Sequence, residues 1–224
     1  MSDWQAHAER EEARYRDGEG RLPDEPEERQ RQLTRIANAA YGAGLSHLMD
    51  GRGDDARAWL ARAAERYRES WADAPSDSWG RPIGAMKARL LAGDRDGAAE
   101  AARWALDAGA VDAASPIGRY AACLALLVLG RDEEARPLAD ALRTEDDFPS
   151  DVGDALAMLA AGTDAIGYVE AVEEVLASFE ERDAYLEDVP VADTVLALQA
   201  LGEARGLVAE LSSPLLPPAG GRTA

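Results

Sequence analysis

The chain has 224 residues, 46% of them hydrophobic, enough to bury one continuous core in a single elongated domain. Its formal net charge is −19, from 43 acidic residues against 24 basic ones. No concentrated basic face is visible, which argues against nucleic-acid binding because neutralising phosphates requires one. Lys87 is the only lysine among the basic residues, and the balance suits either a salt-rich, halophilic cytoplasm in which acidic side chains keep the surface solvated or a genome biased toward Arg, Ala, Gly and Asp codons.

Met1, Ser2, Asp3 and Trp4 show no basic region followed by an apolar run, so no secretory signal is expected and the chain reads as cytoplasmic. A polar helical arm is predicted over residues 1–20, with a helix from Asp3 to Arg16 stopped by the loop Asp17, Gly18, Glu19 and Gly20. His7 on this arm reads as exposed. The next helix runs from about Asp24 to Asp50, with Pro26 in its first turn and Leu33, Ile36, Ala37, Ala40, Gly44 and Leu48 on one face. His47 falls on that stripe and reads as a packed or hydrogen-bonded residue. A third helix, Asp55 to about Asp73, repeats the spacing through Leu60, Ala63, Tyr67 and Trp71, and the short loop before it makes it antiparallel.

The pattern recurs along residues 21–206, read as a single helical-repeat domain. Ile83, Met86 and Leu90 mark one helix, Asp96 to Ala108 the next, and Ser115 with Pro116 starts another that ends near Gly130. The apolar run Tyr120 to Leu129 has about half of the roughly 20 residues a membrane span needs, so it is a core helix, and Cys123 inside it reads as a buried structural thiol. Asp132 caps a segment to Arg143 that Pro137 is placed to kink. Ser150 is expected to cap a helix to Ala161, Thr163 a long one to about Arg182, and Pro190 to begin the last, ended by Arg205 and Gly206. Residues 207–224 read as an extended or disordered tail.

Three inter-helix turns share the pattern G-x-x-[DE]-x-A, at Gly51 to Ala56, Gly93 to Ala98 and Gly130 to Ala135. Glycine supplies a left-handed residue closing one helix, the acid favours the positive N-terminus of the next, and alanine lets the two backbones approach. With Gly44, Ala56, Leu60 and Ala63 in packing positions and Gly53 and Asp54 in the turn, residues 37 to 143 resemble the tetratricopeptide repeat family. Met86 and Cys123 stand where Gly44 does, and Arg68 replaces the usual closing proline. The resemblance implies an all-α, right-handed superhelix of stacked antiparallel hairpins with a concave protein-binding surface. The last helix, with Gly206, Leu207, Val208 and the run Ser213, Pro214, Leu215, Leu216 and Pro217, is similar to the end of an all-helical family of polymorphic-toxin immunity proteins. That similarity implies neutralisation of a toxin by binding.

Catalytic groups are poorly supplied. Neither His7 nor His47 belongs to an E-x-x-H or H-E-x-x-H pattern, and there is no nucleophile elbow, Walker motif or dinucleotide glycine motif, so no cofactor or metal is expected. Carboxylates are abundant instead. Between Thr144 and Ala200 there are 15 acidic residues against Arg182 alone. Glu170, Glu173, Glu174, Glu180, Glu181 and Asp183 read either as a solvated face or as a landing surface for a basic protein partner. A carboxylate-dependent magnesium hydrolase is the alternative, although the order and spacing of these acids do not match helical nucleotide pyrophosphatases. Trp59, Tyr67, Trp71 and Trp79 cluster around the loop 72–82, where Trp71 and Trp79 read either as inter-hairpin core or as the walls of a recognition groove. The expectation is a non-catalytic interaction module without nucleic-acid or membrane binding.

Overall fold

Gly51, Gly93 and Gly130 adopt φ angles of 74°, 72° and 68°, so each shared turn closes its helix with the left-handed residue that glycine accepts without a Cβ clash. Asp54, Asp96 and Glu133 fall in the first turns of the helices that follow, and Ala56, Ala98 and Ala135 are fully buried. The computed structural model describes residues 3–218, and these hold ten α-helices and no strand. They are α1 (Asp3–Glu19), α2 (Pro26–Met49), α3 (Gly53–Ser70), α4 (Gly80–Leu91), α5 (Arg95–Asp107), α6 (Pro116–Val128), α7 (Asp132–Leu142), α8 (Ser150–Ala161), α9 (Ala165–Glu180) and α10 (Asp193–Glu203). None is long and apolar enough to cross a membrane.

Each helix packs on the next in chain order, while α4 also touches α6 and α6 touches α8. Close approach is set by missing side chains. A Cβ on Gly44 would lie 2.6 Å from Leu60 Cγ, so α2 and α3 meet where neither could accept another methyl. Tyr41, Ile36, Leu45, Leu60 and Met86 are fully buried in the core, each aliphatic side chain contributing about 2 kcal/mol by area removed from water.

Some boundaries differ from expectation for physical reasons. Helix α1 runs past Gly18 to Glu19, because Gly18 is a contact residue rather than a stop: a Cβ there would sit 2.2 Å from Ile36 Cγ2. Helix α1 packs on α2 and buries Ala8, Glu11, Tyr15 and Gly18. Helix α7 continues across Pro137, and Asp164 rather than Thr163 caps α9, its carboxylate accepting the Gly167 amide at 2.9 Å. Ser150 lies inside α8 and makes no cap bond there. Pro190 precedes an extended stretch, and α10 starts at Asp193 after Ala192 donates its amide to Leu215 O at 3.0 Å.

Residues 186–218 fold back along the even-numbered helices. The short 3-10 turn Leu186–Asp188 contacts α2, and α10 contacts α4, α8 and α9. Arg205, just past α10, donates to Leu127 O at 2.7 Å and pairs with Asp132. Residues 207–218 form no helix but bury Leu207, Ala209 and Leu216, and Gln199 Nε2 donates to Ala209 O at 2.7 Å. Residues 1–2, and the part of the expected tail at 219–224, lie outside the described residues.

Candidate functional site

Helix α9 buries Tyr168, Val172, Val175, Leu176 and Phe179 at helical spacing, which leaves Glu170, Glu173 and Glu174 on its exposed side. These three line a cleft of about 610 Å³ between α8 and α9, together with Asp151, Asp154 and Asp164, and the only cation in its lining is Arg143. Arg143 is already engaged, 2.5 Å from Asp154 and 3.7 Å from Asp140, whereas Glu170, Glu173 and Glu174 form no ion pair among the described residues. The other expected acids lie elsewhere. Glu180 accepts from Ser213 Oγ at 2.6 Å, Glu181 and Asp183 are exposed beyond the helix, and the Arg182 guanidinium lies 3.6 Å from the Phe179 ring centroid. Among the described residues, no three His, Cys, Asp or Glu side chains are placed to hold a metal ion.

The aromatic cluster divides in two. Trp59 meets Tyr15 of α1 edge to face at 5.2 Å, while Trp71 lies 5.7 Å from Trp79 and 5.6 Å from Trp104. Trp79 is buried and donates its indole N–H to Asp77 at 3.1 Å; Trp71 is half-buried, and neither lines the α8–α9 cleft. Trp104, absent from the expected cluster, completes the stack between α3 and α5. Cys123 is buried, and burial pushes its thiol up to about 12. His47 is buried with Nε2 2.8 Å from Glu12 Oε1, and His7 is half-buried against Trp4.

A second pocket, largely apolar with a few charged and polar groups, was not anticipated from sequence. It encloses about 380 Å³ between α2, α4, the Leu186–Asp188 turn and the start of α10. Asp193 organises its base: Tyr41 donates to Asp193 Oδ2 at 2.9 Å, and Lys87 Nζ lies 2.5 Å from the same oxygen while donating to Thr194 Oγ1 at 3.0 Å. On the opposite wall Tyr67 donates to Asn38 at 2.7 Å, and Arg81 donates to Ser70 Oγ at 2.9 Å and to Gln30. Burial, followed by the Asp193 charge, raises the pKa values of Tyr41, Tyr67 and Tyr120 well above the ordinary range, so all three stay protonated at neutral pH. The available signal was Lys87 itself, the sole lysine, placed four residues after Ile83 on a buried stripe.

No protein-family model, curated protein or solved structure matches this chain.

Proposed function

We propose that the chain is a non-catalytic protein-interaction module of tetratricopeptide-like hairpins arranged in a right-handed superhelix, and that its α8–α9 face receives a basic protein. The observation carrying this reading is the cleft itself, where six carboxylates meet one already-paired arginine. Apposed like charges are unfavourable unless a counter-charge arrives, and a partner's lysines or arginines would supply it. The repeated glycine turns and the buried alanines at fixed positions support the hairpin family. The even-numbered helices of an open stack would offer a concave surface; here α10 lies along them, which favours the α8–α9 cleft as the docking face. Neutralisation of a basic toxin in the cytoplasm is the most concrete form of the proposal.

The test is purification of the chain from its source cells, with the captured protein identified by mass spectrometry and its association followed by stopped flow. A single basic partner is expected. Glu170→Arg, Glu173→Arg and Glu174→Arg together should slow association and flatten its dependence on salt, since screening acts over about 8 Å at ordinary ionic strength. Capture of no partner, or an unchanged rate and salt slope in a folded triple variant, refutes the reading.

A further inference from the structure

Charge pairing is nearly complete for the buried cations of this acidic chain. Among the described residues, every half-buried arginine other than Arg81 has a carboxylate within ion-pair distance, including Arg29, Arg66, Arg89, Arg119 and Arg205. The arginines without such a partner are otherwise exposed to water. Arg81 alone is half-buried with only neutral partners, Ser70 Oγ and Gln30 Oε1. Burial lowers its pKa and no carboxylate counters that effect. A partly desolvated guanidinium left without counter-charge is unfavourable, and it is unexpected in a chain with 43 acidic residues.

Its position deepens the anomaly. Arg81 stands in the first turn of α4, where the helix dipole favours an anion and disfavours a cation. Every other α-helix has a side-chain cap or an acid in its first turn; α4 has neither. Both features open on the 380 Å³ pocket, at the small end of the volumes that hold organic ligands. Across the pocket Leu186 is 45% exposed, an apolar side chain in a turn whose next two residues, Glu187 and Asp188, are held at a left-handed φ of 55°.

We propose that this pocket binds a small organic carboxylate, its anionic group paired with Arg81 in the first turn of α4 and its apolar body lying against Tyr67, Ile83 and Leu186. The fork of a guanidinium matches a planar carboxylate through two parallel hydrogen bonds. A monoanion fits better than a phosphate, because Lys87 is already matched by Asp193 and a single cation is left to neutralise. The proposal is independent of the α8–α9 cleft.

Isothermal titration of the full chain with phenylacetate and hexanoate tests it, with phenylacetamide and inorganic phosphate as comparisons. The two carboxylates bind, and the amide and phosphate give no heat at the same concentrations. Arg81→Gln weakens phenylacetate binding by about tenfold or more, and Arg81→Lys, which keeps the charge and loses the fork, falls between. Circular dichroism establishes that each variant is folded. Should Arg81→Gln not fold, Leu186→Ala, which removes exposed apolar surface, weakens phenylacetate several-fold and leaves the secondary structure unchanged. Absence of heat for both carboxylates at millimolar concentration overturns the proposal. Equal binding of the amide, a preference for phosphate, or undiminished affinity in a folded Arg81→Gln chain does so as well.

Discussion

Asp193→Asn keeps the shape of the side chain that joins α10 to α4 and removes its charge. The Lys87 side chain is 10% exposed and that of Asp193 17%, so the ammonium is left in a largely desolvated site with no counter-ion. Breaking a buried pair by removing one partner costs about 3 to 5 kcal/mol, and residual access of water to Asp193 places this case near the lower end, at about 3 kcal/mol. For a chain of this length that corresponds to a fall in Tm of roughly 6 to 12 °C. Urea unfolding followed by circular dichroism measures the loss, and a cycle with Lys87→Met, Asp193→Leu and the double variant isolates the coupling. Each single change exposes the partner's unmet charge, so the double variant should lose about 2 kcal/mol less than the sum of the singles. A loss below about 1 kcal/mol for Asp193→Asn, or strict additivity in the cycle, refutes the view that this pair secures α10.

Alkaline stability follows from the buried tyrosines. Burial raises Tyr168 from 10.0 to about 12 and also raises Tyr41, Tyr67 and Tyr120, so the folded chain retains phenolic protons that the unfolded chain gives up. Their contribution is therefore complete below pH 10 and is lost as pH rises through the folded values, for Tyr168 between pH 10 and about 12. Absorbance titration should show these phenolates appearing together with loss of helix; their appearance near pH 10 in a folded chain would contradict the burial argument. Packing is tested by Gly44→Ala, whose new methyl meets Leu60 Cγ at 2.6 Å and should cost about 1 to 3 kcal/mol in urea unfolding. Gly80→Ala, with nothing within 4 Å, should stay within about 0.5 kcal/mol of the parent, and similar losses for the two would disprove the close-approach account.

Helix identity and pairing were readable because they depend on local chemistry. The three glycine turns need a left-handed residue wherever they occur, and Ala56, Ala98 and Ala135 are small because two backbones meet there. Glycine in the N-terminal helix was harder, since Gly18 as a helix stop and Gly18 as a contact with Ile36 look alike until the partner helix is in place. The exposure of Glu170, Glu173 and Glu174 follows from α9's apolar stripe, but the contributions of Asp151 and Asp154 depend on how α8 lies beside it. The Arg81 pocket was hidden for the same reason on a larger scale: Asn38, Lys87 and Asp193 are brought together by the return of α10, a long-range event that no local pattern encodes. The split of the tryptophans likewise required the α1–α3 contact that draws Trp59 to Tyr15.

An array whose units touch only their neighbours can gain or lose a unit without disturbing the rest. Here α10 is fixed at both ends, at its start by Lys87 of α4 and just past its end by Asp132 of α7. Its 11 residues set the distance between those two anchor points at about 16 Å. Packed helices are spaced by about 8 to 10 Å, so inserting or deleting a hairpin between residues 87 and 132 moves one anchor out of the other's range. Helix α10 thus acts as a ruler for the stretch between α4 and α7, and the spacing of those two helices is fixed by its length.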